Sequence, residues 1–220
     1  MKKQFFKKLT MDEMKNAMVL GSKNITPKYA YISGFYRAGE ILVEQFMTSE
    51  KFYRHEKNIL VYPILYNYRH YVELHLKSLI EDTEILYDLM DKLGYLQNGN
   101  LDKKVTNILD STHNLDNLLE YLKERLVYTQ ISSEEFPKDI AKYIKQIHDT
   151  DKSGQVYRYH TNKGSQENFP KEEYIDAKNI ATRMEEVNNM LWAIDSHIDE
   201  YIKMSKDIID EYESEMQKYY

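Results

Sequence analysis

The chain contains no cysteine, only 7 glycines and 4 prolines, and a single tryptophan among its 220 residues. Without cysteine there are no disulfides and no thiolate metal sites, which fits a reducing compartment. So few glycines and prolines leave little material for the tight turns of an all-β chain, and helix is the expected state. No apolar run approaches the roughly 18 residues of a membrane-spanning helix, and the N-terminal MKKQFFKKLT is not followed by the apolar stretch of a signal peptide. The expectation is a cytoplasmic protein with no membrane segment. Positive charge is scarce too: 30 Lys and Arg stand against 36 Asp and Glu, a net charge of −6. That excludes the broad basic surface of sequence-independent nucleic-acid binders, so any RNA contact must be local.

Against these absences stand 42% hydrophobic and 30% charged residues, ordinary proportions for a globular chain. At this length roughly 70% of the unfolded surface is expected to be buried, enough for a real core. Twenty tyrosines are the surplus. A phenol ring buries area yet keeps a polar tip, so it suits a half-wet subunit interface or a stacking platform as well as a core. Ordinary helix packing is the commoner use.

Residues 1–25 carry scattered charge without a period and read as a short helix or loosely docked arm. Thr26-Pro27 has the chemistry of a helix start, and Tyr31, Phe35, Ala38, Leu42 and Phe46 predict a helix over 28–47. Val61, Leu65, Tyr68, Val72, Leu76 and Leu79, continued by Ile85, Leu86, Leu89 and Leu93, predict a second over 59–93, with Pro63 in its first turn and a stop at Gly94. Residues 97–100 read as a turn, 101–110 as a weak helix, and His113-Asn114-Leu115-Asp116 as the opening of a helix to 127. Ser132 and Glu135 have capping-box spacing for a helix reaching 148. From 149 to 170 there are two Gly-centred turns and an alternation around Val156-Tyr157-Arg158-Tyr159, the marks of an ordered loop or small hairpin.

A final helix carries Ile180, Met184, Val187, Leu191, Ile194, Ile198 and Ile202 at steps of three and four, a seam for another long helix. Its pattern continues more weakly through Ile208, Ile209, Tyr212 and Met216, a tail that would project as a dimer arm or fray. The expected fold is all-α: an up-and-down helical bundle of long antiparallel helices with a small irregular or hairpin insertion near 150–170. The domain would run over 26–204, between an arm at 1–25 and a helical extension at 205–220.

One stretch puts many ionisable groups into an apolar helix: Tyr66-Asn67-Tyr68-Arg69-His70-Tyr71-Val72-Glu73-Leu74-His75-Leu76-Lys77. At about 100° per residue Arg69, His70, Glu73 and Lys77 share a stripe, Val72, Leu76 and Leu79 lie to one side of it, and His75 lies toward that apolar side. The bland reading is a solvated face with two i,i+4 ion pairs, Arg69–Glu73 and Glu73–Lys77, each worth about 0.2–0.5 kcal/mol. The functional one is a set of imidazoles and phenols that move protons beside a fixed cation. His113 at a helix start is most simply a capping or packing residue, and Arg158 with His160 either touches phosphate or pins the loop to a carboxylate. Trp192 reads as core. His55, His148 and His197 are isolated, with no zinc-site spacing, and no metal or cofactor is expected.

The block YRHYVELHLKSLI resembles a helix of bacterial HEPN-like proteins. Thr112-His113-Asn114-Leu115-Asp116-Asn117-Leu118 is similar to the histidine-plus-leucine segment that opens a later helix in them, and Val156-Tyr157-Arg158-Tyr159-His160 resembles their aromatic-Arg-Tyr loop. The likeness spans roughly 59–202. Nuclease members carry an arginine, a polar residue and a histidine four to six residues later, a pattern that Arg69, His70 and His75 fit. The resemblance implies a homodimer that cuts RNA without a metal, in bacterial stress, toxin–antitoxin or phage-defence systems, with an antitoxin or other defence protein as a further partner. Arg69, His75 and His70 would then be catalytic, Glu73 and Tyr66 supporting, and Lys77, His113 and Arg158 substrate-binding. In such chemistry an imidazole moves the proton of the 2′-hydroxyl and a guanidinium steadies the phosphate charge. The pattern is short, and here it lies in the second main helix instead of near the end of the bundle. The alternative is a non-catalytic helical module that binds a partner protein through its Tyr-rich faces.

Overall fold

The computed structural model describes residues 23–49, 57–96, 112–129 and 136–218, together with Thr10, Met11, Ala17, Met18, Leu20 and Leu109. Among these residues the chain forms five long helices: α1 (Pro27–Thr48), α2 (Val61–Lys92), α3 (Leu115–Tyr128), α4 (Lys138–Thr150) and α5 (Ala177–Gln217). The all-α bundle expected from the periodicity is the fold. Most of the arm over 1–25, the turn at 97–100, most of the weak helix at 101–110 and the Ser132–Glu135 capping box lie outside the described residues.

Pro27 starts α1 at its first helical position, with Thr26 extended before it and making no side-chain cap; the fixed proline φ does the work expected of the threonine hydroxyl. α2 ends as read, with the Tyr95 N–H bonded to the Met90 carbonyl across Gly94. Asn114 caps α3 by accepting the Asn117 N–H, and Asp176 caps α5 by accepting those of Lys178 and Asn179. The helix expected from Ser132 is shorter: Phe136 and Pro137 are non-helical, and α4 begins at Lys138.

α2 is the central element, and it is buried on several sides because α1, α3 and α5 all pack on it. α1 crosses it antiparallel, with Gly39 lying under the Tyr68 ring and Tyr36 against Tyr71. α5 runs parallel to α2, pairing Asn188 with Tyr71 and Trp192 with His75. α3 is parallel to α2 as well, pairing His113 with Glu73 and Arg125 with Glu84. The expected run of antiparallel neighbours therefore holds for α1–α2 and α3–α4 but not for α2–α3, since the chain between Lys92 and Leu115 is long enough to return before α3 starts. The core contains Val72, Leu76, Leu79, Leu118, Leu122, Ile144, Val187 and Leu191, all 0% exposed.

Residues 151–176 form the irregular insertion. Val156, Tyr157 and Arg158 make a turn, not the strand their alternation suggested, and the hairpin shrinks to one antiparallel bridge between Thr161 and Glu167. The Asn162 side chain holds that turn by accepting the N–H groups of Gly164 and Gln166. α5 continues unbroken through residue 204 to Gln217. Its pairing with α2 brings Lys92, the last residue of α2, level with Ile209, and residues 210–218 beyond it are exposed. Among the described residues no helix is long and apolar enough to cross a membrane.

Candidate functional site

Tyr62, Tyr66, Arg69, Glu73 and Lys77 fall within about 80° of one another around α2, on the face covered by the start of α3, the end of α4 and the insertion. Arg69 is only 2% exposed, which rules out the solvated-face reading. Each of its three nitrogens makes a hydrogen bond. Nε donates to the Asp151 carbonyl at 3.0 Å and lies 3.3 Å from Asp151 Oδ2, Nη1 donates to Glu73 Oε2 at 2.8 Å, and Nη2 donates to the His113 carbonyl at 2.6 Å. Gly154, at φ +73°, closes over the guanidinium, where an added Cβ would stand 3.1 Å from Nη1.

Asp151 ends α4, is 1% exposed, and turns its Oδ1 to the N–H groups of Gln155 and Val156. Arg69 thus ties together α2, the C-terminal end of α4, the insertion and the residue before the α3 cap. Buried charge of this kind is stable only when it is paired and hydrogen-bonded, as it is here.

Glu73 completes the cluster. Its Oε1 lies 2.8 Å from His113 Nδ1 and 3.2 Å from Lys77 Nζ. Burial pushes the carboxyl up, but hydrogen bonds from Arg69 and His113 and the Lys77 charge outweigh it, holding the group below the ordinary carboxylate range. The His113 ring is 57% exposed.

His75 is elsewhere. Six residues past Arg69 on a helix is about 240° around the axis, and the ring is 0% exposed between Tyr71 and Trp192. Nδ1 lies 3.0 Å from the Tyr71 hydroxyl, which donates onward to Asn188 Oδ1. Nε2 has no partner. Burial, aided by the Lys28 ammonium, pushes its pKa down to about 3, so the ring is neutral and sealed. His75 and Arg69 share no partner, and the expectation that they form one catalytic pair is corrected accordingly: an imidazole on the α1–α5 side of α2 cannot reach a phosphate held by a guanidinium on the α3–α4 side. His70 is half-buried, stacked on Tyr66 at 5.6 Å and met edge-on by Phe35 at 4.4 Å. Burial lowers its pKa.

Next to this cluster the insertion builds a cleft of about 370 Å³ lined by Tyr62, Tyr157, Arg158, Tyr159, His160 and Phe169, with Val156 and Glu167. The Phe169 ring meets Tyr62 at 5.9 Å and stacks on Tyr157 at 6.0 Å. The Arg158 guanidinium lies 5.4 Å from the Tyr159 ring and 6.0 Å from that of Tyr66, which links the cleft to the polar stripe. Tyr66 and Arg158 are therefore neighbours, as are Glu73, Lys77 and His113. Sequence reasoning missed Asp151 and Gly154, for which the only signal was the turn chemistry of Asp151-Lys152-Ser153-Gly154. His148, taken as isolated, is 6% exposed at the end of α4, within electrostatic reach of Arg69 and Asp116. Among the described residues no group of three or more histidines and carboxylates could hold a metal ion.

No family model, curated protein or solved structure matches this chain.

Proposed function

We propose that this chain is an HEPN-like RNA-binding protein that holds a single-stranded segment in the cleft formed by α2 and the insertion. One observation carries this reading: a guanidinium, Arg158, lines a cleft of about 370 Å³ together with the rings of Tyr62, Tyr159 and Phe169. Flat rings stack on bases of any identity and a guanidinium pairs with phosphate, two of the contacts by which proteins hold single strands. The local character of the site also suits a chain of net charge −6.

On the resemblance of the YRHYVELHLKSLI block, the protein works as a cytoplasmic homodimer in bacterial stress or phage defence. Arg69 serves in it as a structural clamp, since each of its nitrogens bonds to a protein group and the side chain is buried. A labelled mixed-sequence RNA of about a dozen nucleotides, titrated by fluorescence anisotropy, tests the reading. Arg158→Ala and Tyr62→Ala should each weaken binding at least fivefold, in line with the roughly 1–3 kcal/mol expected per stacked base; undiminished affinity in both variants would refute it.

A second reading, a module that binds a partner protein, is favoured by one observation: beyond α2 the end of α5 exposes Tyr212 and Met216 at 64% and 40%. A protein that leaves RNA unbound but loses a stoichiometric partner on Tyr212→Asp would decide for it.

A further inference from the structure

We propose that the lysine-rich segment 2–9 of this same chain docks on the exposed apolar stripe at the end of α5 and closes that face from within. The inference is independent of the RNA reading. The stripe is Met204, Ile208, Tyr212 and Met216, which are 53%, 41%, 64% and 40% exposed, and steps of four keep them on one face of the helix. Along one edge of it, about 60° around the axis, runs a second row of exposed side chains, Asp207, Glu211 and Glu215. The complement of such a surface is an apolar segment that carries positive charge.

The chain supplies one. Residues 2–9, KKQFFKKL, hold four lysines, two phenylalanines and a leucine with no carboxylate, and in a helical turn Phe5, Phe6 and Leu9 fall within about 100° of one another. A second copy of the chain fits worse. Laid antiparallel on the stripe, it would set Asp207, Glu211 and Glu215 beside their own counterparts, and an interface that opposes like charges is disfavoured. The end of α5 also needs a cover, because beyond Ile209 it has no α2 beside it, and two turns of helix are marginal in water without packing.

The arm joins the bundle on the side this docking requires. Lys28, in the first turn of α1, meets Asp82 of α2 at 2.5 Å, Asp82 lies within electrostatic reach of Asp199 of α5, and the Tyr29 ring meets Trp192 at 5.5 Å. Since α1 runs antiparallel to α2 and α5, the chain before Pro27 arrives from the side toward which the end of α5 projects. From Asp199 to Tyr212 is about 20 Å along the helix. The residues between Leu9 and Pro27 span that distance even as helix, and more when extended. Met11, Met18 and Leu20 are 88%, 95% and 87% exposed, so this stretch is the tether and the contacts fall to residues 2–9. A partner protein bound at this face must first displace the arm.

The chain has no cysteine, so an introduced pair reports a single contact. In the full chain at high dilution, Phe6→Cys with Tyr212→Cys should oxidise to an intramolecular disulfide about tenfold faster than Phe6→Cys with Asp210→Cys, which shares the tether but sits about 160° around α5. Adding Lys2→Glu, Lys3→Glu, Lys7→Glu and Lys8→Glu to the first pair should remove that advantage. The same four substitutions in the cysteine-free chain should speed amide exchange at residues 210–217, since an uncovered helix end opens more readily. Equal rates for the two cysteine pairs overturn the proposal, as do bridges formed only between chains, the result of a second copy seated on the stripe. Amide exchange unchanged by the four substitutions overturns it as well.

Discussion

Replacing Arg69 by alanine should unfold the α2–α3–α4 junction rather than subtract a contact to RNA. The guanidinium is 2% exposed and donates to Glu73, to the Asp151 carbonyl and to the His113 carbonyl. Its removal leaves the Asp151 carboxylate, 1% exposed, without a cation, and Glu73 with only Lys77 and His113. Removing one partner of a buried ion pair costs about 3–5 kcal/mol, and each orphaned carbonyl costs about 1–3 kcal/mol more when water cannot reach it. These losses share one site and do not simply add, so about 4 kcal/mol, the middle of the ion-pair range, is the expected loss. Total stabilities lie at about 5–15 kcal/mol, and a loss of that size would lower the urea midpoint by about 2 M at an m-value near 2 kcal/mol/M. Equilibrium unfolding followed by far-UV circular dichroism measures it. Arg69→Lys keeps the charge but not the fork of donors, so it should fall between wild type and alanine. A midpoint for Arg69→Ala within about 0.3 M of wild type, against the m-value above, would refute the clamp and return Arg69 to the list of residues available for substrate.

Gly154→Ala should destabilise by about 1–2 kcal/mol, the cost of the left-handed region for an L-residue, with a further penalty because its Cβ would press on the guanidinium; thermal melting checks this, and an unchanged midpoint would contradict the close approach. His75, held near 3 in the fold against an ordinary value of 6.5, contributes stability that is complete above pH 6.5 and is lost as pH falls toward about 3, at up to about 1.4 kcal/mol per pH unit. Asp195, raised to about 6 chiefly by burial, acts in the opposite sense, losing stability as pH rises from 3.8 to about 6, so the comparison must be between wild type and His75→Gln, whose acid side should be flatter. A His75 ring resonance that titrates near pH 6.5 would contradict the sealed environment.

The elements carried by long periodicity were legible in the sequence. α5 follows its three-and-four seam because Met184, Val187, Leu191, Ile198 and Ile202 are all buried on one stripe. Local signals misled where a second local signal competed. The Ser132–Glu135 spacing suggested a helix start, but Pro137 precedes the helix that forms, at Lys138. The Val-Tyr-Arg-Tyr alternation suggested a strand, yet Tyr157 is fixed by stacking on Phe169 across a turn.

The ionisable stripe of α2 was correctly located, and Arg69 with Glu73 is its centre. What the spacing could not supply was the company they keep. The other Arg69 acceptors lie 82 and 44 residues away in the chain, at Asp151 and His113, while His75, close in sequence, points a third of a turn away, toward α5. Burial and non-local pairing decided the site, and neither leaves a periodic trace.

The binding reading is tested most directly by photo-crosslinking a 4-thiouridine RNA to the wild-type chain and mapping the modified peptides. Crosslinks should fall on Tyr62 and on the segment 156–169, and should fade in Arg158→Ala. Crosslinks confined to other surfaces, or none at protein concentrations that saturate the anisotropy signal, would contradict it.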